Sequence, residues 1–353
     1  MKKNILILSF ISTILISCGI RQSLPEYDKH RNCHPVEIGA GTEDFVLDRW
    51  NQKPRLLISS HERREPARYG DIYSYDLSEG YSEKMKRTGE PADLSAFQPH
   101  GMDIRHENGD TFLYVILHDL YYRSTREENG IAIYRISGNE LIFHKLMIDQ
   151  RFLWSPNDIS VLENGEIYAS NDYRSEFDIY FRQNTSEVVH YSVKDRTWSV
   201  VASDLSFTNG VLALEDRVFV AVTRSDLLIE YPRNPDGTLG KGRQLAQIKG
   251  LDNIMPYGNE LLVAAHFDDL AFFRHHKDES VPSPSVVFLI DPDDPDPDAS
   301  KKVVYADEGT QISAASTAFV YQDKLYISQV FRSQILVCDA VDLAADAKLL
   351  SKP

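Results

Sequence analysis

The sequence is poor in cysteine, in basic runs and in long apolar stretches, and each shortage excludes a class of protein. Its 353 residues hold three cysteines and no C-x-x-C pair, which excludes a disulfide-dense scaffold and the usual thiolate zinc and redox sites. Lysine and arginine number 38 against 53 acidic residues, and no basic run that would suit nucleic acid is present. The net charge of −15 is suited instead to a metal ion, another cationic partner or simply to solubility.

Common catalytic motifs are also missing. The sequence has no G-x-S-x-G, no H-E-x-x-H and no P-loop. Gly39-Ala40-Gly41 lacks the third glycine and the following helix that dinucleotide binding requires. A serine hydrolase, a zinc protease and a nucleotide-binding enzyme are therefore disfavoured.

The N-terminus is typical of an exported protein. Two lysines precede a short apolar stretch, and Leu15-Ile16-Ser17-Cys18 resembles the lipobox of bacterial lipoproteins. We predict a signal peptide over residues 1–17, a lipid on Cys18, a polar tether over residues 18–31 and one folded domain over residues 32–353. Gly19 after the cysteine indicates a lipoprotein on the periplasmic or outer-membrane surface. A soluble secreted protein with an incidental cysteine is the alternative.

Export would leave Cys33 and Cys338 at opposite ends of the folded region. An oxidising compartment favours a disulfide between them, and two unpaired thiols are the alternative.

Short apolar runs rich in Val, Ile, Tyr and Phe recur along the chain and predict an all-β fold. One short helix is expected near residues 339–350. A faint repeat of strand, polar hairpin and strand begins at Asp158, Asn209 and Asn253, and a looser fourth copy spans residues 315–327. The 306 residues from Cys33 to Cys338 divide into six units of 51, which suits a six-bladed β-propeller. A pair of β-sandwiches is the alternative.

Polar side chains begin each predicted repeat, at successive spacings of 57, 57, 52 and 43 residues. In a propeller, equivalent positions of successive blades meet at the central tunnel. Carboxylate and amide oxygens without a thiolate match calcium rather than zinc. The alternative is that such residues only favour turns. The positions are Glu43-Asp44, His100, Asn157-Asp158, Asn209 and Asp252-Asn253.

These motifs resemble the serum paraoxonase family of calcium-dependent arylesterases and lactonases. The resemblance spans nearly the whole predicted mature chain, from NCHPVEIGAGTED through FQPHGMDI, SPNDISVLENGEIYASND, FTNGV, LDNI and VAAH to STAFVYQDKLYISQVFRSQILVC. It implies a six-bladed propeller with two calcium ions in its tunnel. It also implies a disulfide between Cys33 and Cys338.

The resemblance assigns a role to individual residues of this sequence. His100 takes the place of the general base and His118 that of its partner, while His266, Phe207 and Asp172 would line the substrate pocket. A structural calcium would be held by Asp44, Asp158 and the carbonyl of Met102. The catalytic calcium would be held by Glu43, Asn157, Asn209, Asp252 and Asn253.

Two departures bear on the substrate range. Tyr173 stands where the animal enzymes have a histidine, and residues 174–190 are more polar than their membrane-docking helix. The resemblance implies a hydrolase of lactones and aryl esters that acts by water attack on a calcium-polarised carbonyl. The alternatives are a gluconolactonase-like sugar-lactone hydrolase and a non-catalytic ligand-binding propeller. No nucleic-acid partner is expected, and the sequence does not indicate an oligomeric state.

Overall fold

A computed structural model of the protein describes residues 23–27, 31–65, 67–92, 94–122 and 128–344. In chain order its strands are β1 (Cys33–Glu37), β2 (Thr42–Asp48), β3 (Arg55–Ser60), β4 (Asp71–Asp76), β5 (Ser82–Lys84), β6 (Lys86–Thr88), β7 (Pro99–Glu107), β8 (Asp110–Leu117), β9 (Gly130–Ser137), β10 (Glu140–Met147), β11 (Pro156–Val161), β12 (Ile167–Asn171), β13 (Ser186–Ser192), β14 (Thr197–Leu205), β15 (Thr208–Ala213), β16 (Arg217–Val222), β17 (Leu227–Pro232), β18 (Arg243–Gln247), β19 (Leu251–Tyr257), β20 (Glu260–Ala265), β21 (Ser285–Ile290), β22 (Lys302–Asp307), β23 (Ala315–Tyr321), β24 (Lys324–Gln329) and β25 (Gln334–Asp339).

These strands form six antiparallel sheets, and each sheet is one blade. Blades 1 to 5 are built in chain order from β2–β5, β7–β10, β11–β14, β15–β18 and β19–β22. Blade 2 has a fifth strand, because β6 pairs in parallel with the outer edge of β10. Each innermost strand contacts the innermost strand of the next blade, and β23 contacts β2, so the ring closes. The predicted six-bladed propeller is confirmed.

Blade 6 joins the two ends of the chain. Its strands run β23-β24-β25-β1, so the first strand supplies the outer edge of the last blade. Cys33 lies opposite Cys338 in the β1–β25 register, and the two form a disulfide. The predicted bridge between the first and last strands is therefore present.

The blades are held together by apolar faces that meet between neighbouring sheets. One cluster between blades 1 and 6 contains Phe45, Ile58 and Val337, all nearly inaccessible to solvent. Between blades 4 and 5, Phe219 and Val263 belong to a similar cluster. Because both faces of each sheet are covered, many strands are buried along their whole length, which explains their continuous apolar runs.

The described helices are short: α1 (Glu176–Phe181), α2 (Asp269–Lys277), α3 (Pro297–Ser300) and α4 (Val341–Ala344), with a 3-10 turn at Thr223–Ser225. The start of the expected C-terminal helix is present as α4, and the rest of that prediction lies outside the described residues. Helices α1, α2 and α3 are not predicted from the sequence. No helix in the described parts of the chain is long and apolar enough to cross a membrane.

Part of the predicted tether packs on the propeller. Tyr27 Oη and Arg31 Nε both donate to the carbonyl of Val304 in β22, at 2.9 and 2.8 Å. Arg31 also pairs with Asp342 at 2.7 Å. Cys18 and the predicted signal peptide lie outside the described residues, and the predicted domain boundaries stay predictions.

Candidate active site

A β-bulge near the start of every innermost strand positions the polar residues of the tunnel. In each blade, two consecutive residues of the innermost strand lie opposite a single residue of the second strand. A bulge re-aims side chains that would otherwise point alternately to the two faces of the sheet. The six bulged pairs are Glu43-Asp44, His100-Gly101, Asn157-Asp158, Asn209-Gly210, Asp252-Asn253 and Ser316-Thr317.

Glycine allows two of these strands to approach their neighbours closely. A Cβ on Gly101 would lie 2.6 Å from the backbone carbonyl oxygen of Asn157. A Cβ on Gly210 would lie 2.7 Å from the backbone carbonyl oxygen of Asp252. Only a residue without a side chain fits where the backbones are this close. The two glycines therefore bring the polar pairs of adjacent blades within reach of one another.

Five buried oxygen atoms in the tunnel accept no hydrogen bond. Buried acceptors are normally paired, so five together mark a place that a cation would fill. Each belongs to a different residue predicted to hold the catalytic calcium. The atoms are Glu43 Oε2, Asn157 Oδ1, Asn209 Oδ1, Asp252 Oδ1 and Asn253 Oδ1.

Neighbouring groups fix the orientation of two of the amides. Asn253 donates its Nδ2 to Glu43 Oε1 at 3.2 Å and to Thr317 Oγ1 at 3.0 Å. Asn157 donates its Nδ2 to Asp172 Oδ2 at 3.3 Å. Because these nitrogens are engaged elsewhere, the amide oxygens are the atoms left free.

The carboxyl groups of the tunnel are buried, which disfavours their charged forms. Burial raises the pKa of Glu43, an effect that Arg63 opposes, and burial together with Glu43 raises the pKa of Asp252 well above its usual range. A bound divalent cation would reverse both effects by favouring the charged forms. Within the described ranges, no group of three or more His, Cys, Asp or Glu side chains forms a metal cluster. The candidate set consists instead of two carboxylates and three amides, and these hard oxygen donors fit calcium.

Asp44 and Asp158, the predicted ligands of a structural calcium, link neighbouring blades. Asp44 Oδ2 accepts from the Met102 N–H at 2.7 Å, and Asp158 Oδ2 accepts from the Val211 N–H at 2.8 Å. Burial raises the pKa of Asp44 well above its usual range, and the negative charges of Asp158 and Glu43 raise it further. Met102 is buried, and its N–H rather than its carbonyl contacts Asp44, so the predicted role of the carbonyl stays a prediction.

His100 and His118 lie side by side above the oxygen cluster. Their ring centroids are 4.8 Å apart, and His100 Nε2 is 3.7 Å from Glu43 Oε1. His118 Nε2 lies 2.6 Å from the Pro156 carbonyl, which can only accept, so Nε2 holds the proton of the neutral ring. Burial, aided by Arg63, lowers the pKa of His100 well below its usual range, and burial with the same help lowers that of His118 to about 4. Both rings are therefore neutral near pH 7.

The three predicted pocket residues occupy different positions. His266 is buried and stacks on Phe272 of α2, with ring centroids 4.1 Å apart. Phe207 is half-buried and stacks on Tyr173 at 5.6 Å. Asp172 lies behind Asn157 and holds its amide, and burial raises the Asp172 pKa to about 6.

Three residues of the site are not predicted from the sequence. Ser316 donates to Glu43 Oε1 at 3.0 Å, and Thr317 donates to the Glu43 carbonyl at 2.9 Å. Both belong to the bulge of blade 6. Arg63 lies in the loop after β3, 3.6 Å from Glu43 Oε2, and no sequence signal distinguishes it from Arg64.

An apolar cavity of about 310 Å³ reaches the polar pairs along the inner strands. Asp44, Asp158 and Asn253 contribute to its wall. Its apolar lining includes Phe45, Ile104, Ile159, Leu212, Ile254 and Phe319. The cavity therefore lies on the side of Asp44 and Asp158, and none of the predicted pocket residues His266, Phe207 and Asp172 lines it.

Sequence similarity to known proteins identifies the family of the chain. The arylesterase family model matches residues 62–340. The chain belongs to the arylesterase family. Among its arylesterase relatives, serum paraoxonase/arylesterase 1 of Mus musculus is 28% identical over 289 residues, which cover 78% of each chain. Serum paraoxonase/lactonase 3 of Homo sapiens is 27% identical over 328 residues, 87% of this chain and 88% of the relative.

A solved structure supports the fold of this arylesterase-family chain. Regucalcin from Agrobacterium tumefaciens, described as a calcium-binding protein, superposes with a TM-score of 0.55. The match covers 86% of this chain and 90% of that one, at 12% identity. At this identity the similarity is evidence for the propeller fold alone.

Proposed function

We propose that the protein is a calcium-dependent hydrolase of lactones and aryl esters. The observation that carries the proposal is the set of five buried oxygens that accept no hydrogen bond, one from each predicted ligand residue. Membership of the arylesterase family and relatives named arylesterase and lactonase support the reaction class. The calcium-binding regucalcin has the same fold, which is compatible with a metal in the tunnel.

The ligand residues can hold one calcium ion, and Asp44 with Asp158 supports a second. Bound to the first group, the ion would polarise the ester carbonyl and stabilise the negative charge that develops on its oxygen. Glu43 and Asp252 supply the charge that binds it, and the three amides complete the set. The mutual repulsion of Asp44 and Asp158 favours the second ion.

The two histidines supply the proton chemistry in this proposal. His100 Nε2 faces the oxygen cluster and accepts the proton of the attacking water. His118 donates its Nε2 proton to the Pro156 carbonyl, so its Nδ1 lone pair can accept a proton from His100. Burial keeps both rings in the basic form at neutral pH.

We further propose that the protein is exported and anchored through a lipid on Cys18, on the periplasmic or outer-membrane surface. This rests on the lipobox-like sequence Leu15–Cys18. Mass spectrometry of the membrane fraction tests it, since a diacylglyceryl modification on an N-terminal Cys18 is expected. An N-terminus at Met1 or an unmodified Cys18 would overturn it.

A substrate panel tests the reaction class. Initial rates are measured with phenyl acetate, an aliphatic δ-lactone and gluconolactone, for the wild type and for Asp252→Asn. We expect the wild type to hydrolyse the first two substrates, and we expect the initial rate of Asp252→Asn to be at least about 100-fold lower. Asp216→Asn is the matched control, because that carboxylate is 71% exposed and lies in the hairpin between β15 and β16. Turnover of gluconolactone alone would favour a sugar-lactone hydrolase, and no turnover with intact calcium binding would favour a ligand-binding propeller.

His100→Gln tests the proposed general base separately. We expect kcat to fall by about 100-fold or more while calcium affinity is retained, because general-base catalysis contributes 10²–10⁴. A variant with wild-type kcat would show that the calcium site alone supports hydrolysis.

A further inference from the structure

Arg63 is a buried cation beside the metal-ligand cluster. Its side chain is 14% exposed, and Nη2 lies 3.6 Å from Glu43 Oε2, the oxygen that accepts no hydrogen bond. Its charge lowers the tendency of His100 and His118 to take up a proton. Arg63 therefore acts through its charge on Glu43, His100 and His118.

Backbone oxygens hold the guanidinium in this position. Arg63 Nη1 donates to the carbonyls of Gly41 and His61 at 3.0 and 3.2 Å, and Nη2 donates to Pro99 at 3.5 Å. None of these acceptors carries a full negative charge. The only carboxylate oxygen placed within 4.0 Å of the Arg63 guanidinium, among the described residues, is that of Glu43.

The adjacent Arg64 points to a different part of the molecule. Its side chain is 18% exposed, donates to the His275 carbonyl at 3.2 Å and lies over the Phe331 ring at 5.1 Å. Arg63 and Arg64 are thus adjacent in sequence and similarly buried. Their electrostatic surroundings differ. Arg64 is a matched control for the charge of Arg63.

We propose that Arg63 is the counter-ion of Glu43 in the metal-free protein and that it lowers the calcium affinity of the site. The inference rests on the proposed function, because it assumes that Glu43 binds calcium. Without metal, the guanidinium offsets part of the buried negative charge. With metal bound to Glu43, the same guanidinium repels the ion across a short, poorly solvated distance.

This arrangement has two opposite consequences. Replacing Arg63 by a neutral side chain removes the repulsion, so calcium binds more tightly. The same change leaves the carboxylate cluster uncompensated in the metal-free state, so the metal-free protein melts at a lower temperature. A purely structural role for Arg63 would instead weaken binding when the side chain is removed.

Calorimetric calcium titration of the metal-free protein tests the inference. We expect Arg63→Met to bind calcium on the order of tenfold more tightly than the wild type and to gain more thermal stability on calcium addition. Arg63→Lys restores the charge and should return the affinity towards the wild-type value. Arg64→Met should leave the affinity unchanged.

Equal or weaker affinity in Arg63→Met would overturn the inference while leaving the proposed function intact. Absence of calcium binding in the wild type itself would overturn both. If Arg63→Met does not stay folded without calcium, the loaded protein is mixed with a fluorescent chelator and calcium release is timed. We expect release about tenfold slower than in the wild type, and an unchanged rate would contradict the inference.

Discussion

At the scale of single residues, burial decides the charge of the groups around the tunnel. His266 is 5% exposed, stacks on Phe272, and has a pKa lowered to about 4 by burial. Glu43 and Asp252 shift in the opposite direction for the same reason, because the charged form of a carboxyl also loses its solvation. Without metal, burial therefore disfavours the charged forms of both the histidine and the carboxyl groups.

The lowered pKa of His266 predicts a loss of stability in acid. An unfolded histidine takes up a proton near pH 6.5, whereas the folded one does so near pH 4, so stability falls as the pH drops between these values. At pH 4 this protonation lowers the free energy of unfolding by about 3 kcal/mol. Urea unfolding of His266→Gln at pH 7, 6, 5 and 4 should show a shallower decline than the wild type. His34→Gln, at an exposed position, is the control. Parallel profiles for wild type and His266→Gln would contradict the prediction.

The sequence shows some residues of the site more clearly than others. Asn157-Asp158 and Asp252-Asn253 are conspicuous because charged and amide side chains are uncommon in buried strands. Ser316-Thr317 fill the equivalent bulge of blade 6, yet Ser and Thr are common enough in strands to pass unnoticed. Arg63 and Arg64 cannot be told apart in sequence, because their partners depend on the conformation of the folded loop. Arg63 lies beside Glu43, whereas Arg64 contacts His275.

At the scale of elements, the bulged innermost strands bring the ligand residues together. The bulge in β15 includes Gly210, whose missing side chain leaves room for the backbone of β19. A Cβ there would lie 2.7 Å from the Asp252 oxygen and 2.8 Å from the Asn253 Cα. Because both contacts are with backbone atoms, the strands themselves must move to accept a larger residue.

Gly210→Ala should therefore weaken both the fold and the calcium site. We expect a loss of about 1–3 kcal/mol in the free energy of unfolding, the usual scale of overpacking, together with weaker calcium binding. Chemical denaturation and calcium titration measure the two effects. Gly240→Ala is the control, because a Cβ at Gly240 makes ordinary contacts of 3.4 Å or more. Wild-type values for Gly210→Ala would show that the strands are not packed this closely.

Strand periodicity predicts the blades but not every element. The all-β class follows from short runs of Val, Ile, Tyr and Phe separated by turns. Strand β6 has three residues and pairs in parallel with β10, so it has no period that sequence inspection could detect. Helix α2 is nine residues long, and its place is set by aromatic contacts such as His266–Phe272 that form only in the fold.

At the scale of the whole molecule, ring closure depends on blade 6. Strand β1 pairs with β25, and the Cys33–Cys338 disulfide links positions 305 residues apart. A covalent link over so long a loop restricts the unfolded chain strongly. The 306 residues between and including the two cysteines are long enough for six blades, and a propeller must join its first and last strands, so this closure could be predicted from the sequence.

Replacing both cysteines by serine should destabilise the protein by about 2–5 kcal/mol without changing its fold. Urea unfolding measures the difference, and reductant should lower the stability of the wild type but not that of the variant. Alkylation without reductant should leave the masses of Cys33 and Cys338 unchanged in the wild type. Modification of both under those conditions would contradict the bridge.

The most direct test of the account is reversible removal of calcium. Hydrolysis of phenyl acetate and of an aliphatic δ-lactone is measured with calcium, after chelation and after calcium is restored, for the wild type and for Asn253→Ala. We predict that activity disappears on chelation, returns with calcium, and is lost in the variant at every stage, because Asn253 supplies one of the five buried oxygens that accept no hydrogen bond. Full activity after exhaustive chelation would contradict the tunnel calcium as the catalytic centre.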